Sequence, residues 1–255
     1  MMQNYAALAP LYDRIMAHVE YDQWVDFIKK IIAAYCSSST PRLFEIGGGT
    51  GLLGSKLLEQ GMDYRGSDFS RPMCAQATRR NLPFFAADAR YLPCKPASFD
   101  MTLFLYDGIN YLQSVNEYLV TFRQVYSCLR PGGLFLFDIT TQTNSLNNFN
   151  EFIDTGDYDD HFFFRRSYYH SEVSTQYNDF TIFSKRGNGS IAGDPECVYR
   201  KYIEHHAQKV LPADVILKAV PGDMFEVLGV WDGFSFKRRS PHSERVHFLL
   251  KKKSP

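Results

Sequence analysis

The 255-residue chain lacks several features that would assign it to a specialised class of protein. Its five cysteines form no C-x-x-C pair, so we expect neither a zinc site nor a redox dithiol, and we predict reduced thiols. The 28 basic residues equal the 28 acidic residues, which leaves no net charge to attract nucleic acid or anionic lipid. Nucleic acid is therefore disfavoured as a substrate.

Long apolar runs are also missing. No run approaches the roughly 18 residues that span a bilayer, and the opening "MMQNYAALAP" contains no basic segment followed by an apolar core. We therefore expect a cytoplasmic protein without a membrane partner. The composition, 45% hydrophobic and 22% charged, is that of a globular chain large enough to bury its own core.

Alternating short apolar runs and helix-like segments occupy residues 43–140, a pattern that predicts a parallel sheet with crossover helices. A helical segment precedes them, with apolar residues at helical spacing from Trp24 to Ile32. The last crossover helix, "VNEYLVTFRQVYSCLR", is predicted to end at "PGG". The five predicted strands are "RLFEIGG", "DYRGSDFS", "LPFFAADA", "FDMTLFLYDG" and "LFLFDIT".

The composition changes after residue 150 to alternating aromatic and β-branched residues, which predicts three antiparallel strands. The segments "RGNGS" and "AGDP" separate the last two of them. A helix, "LPADVILKAV", and two strands, "FEVLGVWDGFS" and "ERVHFLLKKK", follow. We predict N-terminal helices and a cofactor-binding core in 1–150, an antiparallel insertion in 151–210, and a helix with a closing hairpin in 211–255.

The glycine-rich stretch "FEIGGGTGLLG" at residues 44–54 has two interpretations. Counted from Gly49, it is the G-x-G-x-x-G turn that places a dinucleotide pyrophosphate on a helix N-terminus. Counted from Glu45, it is acidic-x-G-x-G-x-G, which resembles a loop that holds S-adenosylmethionine. On this second interpretation Gly54 lies outside the motif and on the packed face of the helix that follows. Asp68 at the end of the second strand suits the ribose of either cofactor, whereas Asp88 at the end of the third strand favours the second interpretation.

Five ordered motifs together carry a family resemblance. Glu45 with "GGGTG", Asp68 with Phe69, "ADA" around Asp88, "FDMTLFLYDGINYL" and "LRPGGLFLFD" resemble the motifs of class I S-adenosylmethionine-dependent methyltransferases. The match covers about residues 40–140, and the two closing strands are similar to the final hairpin of that fold. The resemblance implies a Rossmann-like α/β fold with a seven-stranded sheet, N-terminal helices and an inserted antiparallel β subdomain.

The resemblance also implies how the methionine end of S-adenosylmethionine is bound. Gly47 and Gly49 are expected to approach the methionine part, and Glu45 is expected to orient its ammonium group. Leu105 and Tyr106, at the end of the fourth strand, are expected to line the reacting centre. No metal is expected.

For the adenosine end, the resemblance implies a second set of contacts. Asp68 is expected to bind the ribose and Phe69 to cover one face of the adenine. Asp88 and Ala89 are expected to meet the adenine amino edge.

The methyl acceptor is predicted to be a small molecule methylated at nitrogen or oxygen. The Asn-Pro-Pro-Tyr signature of many nucleic-acid amino methyltransferases is absent after the fourth strand, where "YDGINYL" stands instead. The insertion is expected to cover the active edge as a substrate lid, because long insertions there are usually functional. Its alternative role is a homodimer interface.

Candidate general bases are His206 and Asp107, with His205 and His170 as further possibilities. Neighbouring residues of a strand point to opposite faces, so at most one of the histidine pair can face a shared pocket. Imidazole titrates near neutrality, which suits deprotonation of a hydroxyl. Tyr12 and Tyr111 are predicted to line the substrate pocket from their positions.

Two other functions fit parts of the sequence. An NAD-dependent oxidoreductase would need a second nucleotide-binding half after residue 140, where the sequence becomes antiparallel β. A non-catalytic, S-adenosylmethionine-binding regulatory protein would keep the three acidic residues without transferring a methyl group.

Overall fold

A computed structural model describes residues 5–186 and 198–254 of the chain. The segment "AGDP" and most of "RGNGS" lie outside the described residues. Within the described part, no helix combines the length and apolar composition that crossing a membrane requires. The cysteines described there, Cys36, Cys74, Cys94 and Cys128, are all free thiols.

The α-helices are α1 (Tyr12–Ile15), α2 (Tyr21–Tyr35), α3 (Leu52–Glu59), α4 (Arg71–Arg79), α5 (Val115–Cys128), α6 (Gln142–Asn148) and α7 (Ala213–Ala219), with a 3-10 turn at Gly108–Tyr111. The strands of the main sheet are β1 (Arg42–Ile46), β2 (Asp63–Asp68), β3 (Phe84–Ala86), β4 (Phe99–Phe104), β5 (Leu129–Thr140), β10 (Phe225–Asp232) and β11 (Arg245–Lys252). The strands of the insertion are β6 (Phe152–Asp157), β7 (His161–His170), β8 (Thr175–Lys185) and β9 (Tyr199–Lys209).

The main sheet has the order β10-β11-β5-β4-β1-β2-β3. Its first five strands along the chain pair in parallel, and β11 is antiparallel to both β5 and β10. The strand order reverses between β1 and β4, the point at which open α/β sheets bind ligands beyond the carboxyl ends of their strands. The predicted Rossmann-like sheet of seven strands is therefore confirmed.

Helices cover both faces of this sheet. The apolar residues of α2, from Trp24 to Ile32, recur every three or four positions and pack with α3 against one face. On the other face, α5 and α7 bury side chains such as Phe122 and Ile216 against the core. The two layers leave the carboxyl ends of β1, β2, β3 and β4 free to form a site.

A second, antiparallel sheet has the order β6-β7-β8-β9. Three of these strands were predicted, but β6 was missed because "FIDTGD" contains a glycine and two aspartates, which are depleted in strands. Pairing with β7 along the whole of β6 outweighs this weak local preference. The polar helix α6 was also not predicted, and Thr141 caps it by accepting a bond from the Asn144 amide.

The prediction that "PGG" ends a helix is half right. Helix α5 ends at Cys128, but strand β5 begins at once with Leu129 and runs through the motif. Gly132 takes the left-handed value φ +75°, and the register against β4 shifts between Phe99 and Met101. Strand β5 therefore begins at Leu129, earlier than the predicted strand "LFLFDIT", and it is irregular at the motif.

The N-terminal segment, residues 5–16, lies against the insertion. Leu8, Leu11 and Ile15 pack with Phe163 and Ile182 in a small core of their own. Nearby, the Glu204 carboxylate on β9 accepts backbone bonds from residues 5, 7 and 8 at 2.8, 2.5 and 3.2 Å. The segment and the insertion together form a cover beside the sheet edge.

Candidate active site

The loop after β1 turns sharply on its glycines. Gly47, Gly49 and Gly51 have φ values of +67°, +58° and +82°, in the left-handed region that favours glycine. A Cβ atom at Gly47 would lie 2.9 Å from Phe104 Cε2, so the close approach of β4 also requires glycine there. Gly54 lies within α3, where a Cβ would stand 2.5 Å from the Tyr64 ring. It is a packing residue, as the methyltransferase interpretation predicts.

Two carboxylates flank this loop, one buried and one partly buried. Glu45, at the end of β1, is 4% exposed and accepts a hydrogen bond from the Tyr64 hydroxyl. Burial raises the pKa of Glu45 to about 7, against the opposing effect of that bond. Asp68, at the end of β2, accepts bonds from the Gly49 amide at 2.9 Å and the Ser70 amide at 2.7 Å. Burial raises the pKa of Asp68 to about 6, although both amides act to lower it.

A third carboxylate follows β3. Asp88 accepts bonds from the Arg90 amide at 2.8 Å, from Nε at 2.9 Å and from a terminal guanidinium nitrogen at 2.6 Å. Burial acts to raise its pKa, but the bonds from Arg90 outweigh burial and lower it. Arg90 also pairs with Glu117 at 2.5 Å. The Asp88 carboxylate is thus paired with Arg90, an interaction that was not predicted from the sequence.

The end of β4 holds an unusual backbone. Tyr106 and Asp107 are consecutive non-glycine residues with φ values of 57° and 50°. Such backbone strain clusters at functional sites, where the surrounding structure maintains it. The Asp107 amide donates to Asp138 at 3.0 Å, and the Asp107 carboxylate accepts from Arg245 at 3.0 Å and Gln208 at 2.5 Å. This network holds the turn in place.

Three adjoining cavities lie around these residues, and Tyr12 and Tyr106 line all of them. The glycine-loop pocket, about 50 Å³, is lined by Glu45 and the loop. The inner pocket, about 160 Å³, lies between the N-terminal segment and the insertion. The main cleft, about 690 Å³, is lined by Gly47, Gly49, Asp68, Phe69, Asp88, Ala89, Leu105, Tyr106 and Tyr111, among others.

The cavities bring the predicted site residues together. Glu45 and the nine residues just named include every predicted cofactor contact, and Phe69 stands on the rim of the cleft with 61% of its surface exposed. Asp107 and His206, predicted as catalytic, line the inner pocket. Tyr111 lines both the main cleft and the inner pocket, so it lies at the junction of the two.

A chain of hydrogen bonds leads from the insertion to this junction. His206 is 1% exposed, and its Nε2 lies 3.2 Å from Glu204 Oε2 while its Nδ1 lies 3.3 Å from the Tyr111 hydroxyl. A carboxylate can only accept, so Nε2 carries the proton and Nδ1 accepts from Tyr111. Tyr111 bonds in turn to the Tyr5 hydroxyl. Burial acts to raise the pKa of Glu204, but its bonds from His206 and the N-terminal amides lower it.

The other candidate histidines lie outside the inner pocket, although His205 borders the main cleft. His205 points to the opposite face of β9, where it is exposed and pairs with Asp179 at 2.8 Å. The predicted division of the histidine pair is thus confirmed. His170 is exposed at the far end of β7. Across the described residues, His, Cys, Asp and Glu side chains form no group of three or more that could hold a metal ion.

Several residues of the site were missed from the sequence. Asp138 is fully buried at the end of β5 and is paired with Arg245. The sequence marks Asp138 by its position in the largely apolar run "LFLFDIT", which could have identified it as a site residue. Glu204 stands two residues before His206, the spacing that places both on one face of a strand. No local signal marked Arg245 or Arg165, because only the folded chain brings them to the inner pocket.

Comparisons with known proteins agree with the methyltransferase interpretation. A family model described as a methyltransferase domain matches residues 43–133. The chain is 25% identical over 253 residues to a Bacillus subtilis protein named "Putative methyltransferase YqeM", with 97% of each chain covered. A solved S-adenosylmethionine-dependent methyltransferase from Clostridium acetobutylicum has a TM-score of 0.77 and 22% identity, covering 98% of this chain and 99% of that one.

A second solved structure has the same fold and a more specific description. The sugar N-methyltransferase KedS8 from Streptoalloteichus has a TM-score of 0.74 and 18% identity, with 96% of this chain and 92% of that chain covered. Because both identities are below 25%, these two structures show a shared fold and no shared substrate.

The residues present fit S-adenosylmethionine as cofactor. The main cleft lies within the range of roughly 300 to 1,000 Å³ that is usual for cofactor sites. The loop at Gly47 leaves no room for a side chain, so a ligand there contacts the backbone. Glu45 and Asp68 supply carboxylate acceptors for an ammonium group and for hydroxyl groups. The domain match at residues 43–133, the fold and this cleft support a class I S-adenosylmethionine-dependent methyltransferase.

Proposed function

We propose that the enzyme transfers the methyl group of S-adenosylmethionine to a nitrogen or oxygen of a small molecule by in-line displacement. The observation that carries this proposal is the inner pocket, which is lined in part by the insertion and shares Tyr12, Tyr106 and Tyr111 with the main cleft. Its volume of about 160 Å³ suits a compact acceptor, since a cavity of about 150 Å³ holds benzene. The description of KedS8 as a sugar N-methyltransferase supports a small acceptor.

We propose that the glycine loop binds the methionine end of the cofactor. Glu45 lines the glycine-loop pocket and would orient the ammonium group as a carboxylate, while the backbones at Gly47 and Gly49 approach the same end. Leu105 and Tyr106 would line the reacting centre, because both border the glycine-loop pocket and the main cleft.

We propose that the ends of β2 and β3 bind the adenosine end. Each Asp68 oxygen accepts one backbone bond, so each retains a lone pair for a ribose hydroxyl. Phe69 would cover the adenine with its exposed ring. Asp88 and Ala89 would meet the adenine amino edge, with Arg90 holding the Asp88 carboxylate in place.

The cofactor supplies a methyl group on a sulfonium, which is already a good leaving group. The protein therefore has mainly to align the acceptor and exclude water. We propose that His206 Nδ1 receives the acceptor's proton through Tyr111, whose hydroxyl donates to it and borders both cavities. Glu204 fixes the orientation of His206 and stabilises its protonated form.

Asp107, the second predicted catalytic residue, is proposed to hold an ammonium or hydroxyl group of the acceptor. Its carboxylate lines the inner pocket and is kept in place by Arg245 and Gln208. Burial raises its pKa above the ordinary range, against the effect of Arg245.

We propose that residues 151–210 act as a substrate lid and that 1–150 and 211–255 together form the core. Ile153, Phe164 and Ile203 are exposed on the insertion, and a homodimer through this surface is the accompanying proposal. A cytoplasmic location likewise stays a prediction from the sequence.

The test is a transfer assay with methyl-labelled S-adenosylmethionine and a panel of small amines and alcohols. We expect label in a small product together with an equal amount of S-adenosylhomocysteine, and NMR of the product would distinguish nitrogen from oxygen. Calorimetry should give heat with S-adenosylhomocysteine and none with NADH. Label found only on protein or nucleic acid would overturn the proposal.

A further inference from the structure

Arg165 is a charged residue that lines the inner pocket. It lies on β7, its Nε atom is buried, and this atom has no hydrogen-bond partner among the described residues. Within the same residues Arg165 forms no ion pair. Arg245, the other arginine of the pocket, differs in that it pairs with both Asp107 and Asp138.

Aromatic rings surround the Arg165 guanidinium. Its central carbon lies 4.8, 5.8 and 5.9 Å from the ring centres of Phe152, Phe149 and Phe180. Burial lowers its pKa, while Asp154, its cross-strand neighbour on β6, acts to raise it without forming an ion pair. A partly buried, unpaired cation is costly, and ring faces offset only part of that cost.

An amide donor lines the same pocket. Gln176 on β8 is 4% exposed, and its Oε1 accepts a bond from Ser145 at 2.8 Å. Its amide nitrogen is therefore the group left to donate, and the described residues offer it no acceptor. A guanidinium and an amide N-H group facing one cavity are the donors that carboxylate and phosphate groups prefer.

We propose that the methyl acceptor carries an anionic group, a carboxylate or a phosphate, which Arg165 binds in the inner pocket with the help of Gln176. This inference rests on the proposed function, because it gives the substrate class for the same pocket. His206 and Arg165 both line a cavity of about 160 Å³, so one small molecule can reach the base with its nucleophile and the arginine with its anion.

The experiment is an NMR titration of the protein saturated with S-adenosylhomocysteine, using propionate, propionamide and inorganic phosphate as probes. We expect an anion to bind and the neutral amide not to bind. The variant Arg165→Gln should weaken anion binding by about tenfold or more, since it removes a charged hydrogen-bond donor. The control is Arg166→Gln, which changes an exposed arginine on the opposite face of β7 and should leave anion binding unchanged.

The probes distinguish a phosphorylated acceptor from a carboxylic acid. Binding of phosphate alone assigns a phosphorylated acceptor, and binding of propionate alone assigns a carboxylic acid. Equal binding of propionamide, or anion binding unchanged in Arg165→Gln, overturns the inference.

The same variants separate this inference from the proposed function. Arg165-dependent anion binding without any methyl transfer to the panel rejects the proposed function and keeps the anion site. Transfer to neutral acceptors at a rate that Arg165→Gln does not alter rejects the anion site and keeps the proposed function. An unchanged affinity for S-adenosylhomocysteine confirms that the variant is folded.

Discussion

The main cleft and the inner pocket meet at the same tyrosines but are built in different ways. The main cleft is formed mostly by residues 46–117, through glycine turns and through carboxylates at the ends of consecutive strands. The inner pocket takes its lining from residues 5–18, 106–111, 140–180 and 206–245. The main cleft is thus encoded locally, whereas the inner pocket, where we propose that the acceptor binds, exists only once distant segments have packed together.

Asp68 of the main cleft and the two predicted catalytic residues of the inner pocket are held in different ways. In the main cleft, Asp68 is held by backbone amides. In the inner pocket, side chains hold one another, as Glu204 holds His206 and as Arg245 holds Asp107. Changes in the main cleft should therefore affect cofactor affinity, and changes in the inner pocket should affect turnover.

The largest effect is expected for His206→Gln. A positioned general base contributes about a hundredfold to ten-thousandfold to a rate, and we expect kcat to fall within this range while affinity for S-adenosylmethionine is unchanged. Steady-state kinetics and calorimetry with the cofactor measure the two quantities.

The control for this prediction is His170→Gln, an exposed histidine of the insertion outside the three cavities. It should retain full activity and melt at the same temperature. Full activity of His206→Gln would show that transfer needs no base at this position.

Asp68→Ala should have the next largest effect. The substitution removes a charged acceptor and should weaken cofactor binding by about 1 to 3 kcal/mol, as measured by calorimetry. Asp63→Ala is the control, because Asp63 is exposed at the opposite end of β2 and pairs with the surface residues Arg42 and Arg65. If Asp68→Ala binds the cofactor as well as the unchanged protein does, the proposed ribose contact is wrong.

The smallest effect expected is a pH dependence of cofactor affinity. The pKa of Glu45 is raised to about 7 by burial, and only its ionised form attracts an ammonium group. Affinity should therefore be full above pH 7 and be lost as the pH falls through 7, by about tenfold between pH 8 and pH 6.

Glu45→Gln should remove this pH dependence down to the region where Asp68, with its pKa of about 6, becomes protonated. Glu59→Gln, which changes an exposed glutamate of α3, should retain it. A pH dependence that persists between pH 8 and pH 6.5 in Glu45→Gln would assign the effect to another group.

The sequence predicted much of the fold because strand ends, glycines and helix starts are local signals. It predicted the strands of the main sheet, the role of Gly54 in helix packing and the opposite orientations of His205 and His206. It missed β6, whose residues have weak strand preference and depend on pairing with β7. The bend at "PGG" was interpreted as a helix end alone, because a strand that continues through proline and glycine needs its neighbour β4 to define it.

For the site, the candidates that lie at or just after a strand end, Glu45, Asp68 and Asp107, line the cavities, and their roles stay predictions. Prediction failed for Arg90, whose bonds to Asp88 depend on side-chain conformation. It also failed for Arg165 and Arg245, because residues about 60 and 140 positions beyond β4 reach the pocket only through the packing of two sheets.

The Glu204 carboxylate has two sets of hydrogen-bond partners. It accepts three backbone bonds from residues 5–8 and also holds the imidazole of His206. Lifting the N-terminal segment would remove those three donors and loosen the carboxylate that sets the tautomer of the base. If His206 is the base that we propose, its orientation depends through Glu204 on the contact of residues 5–8 with the insertion.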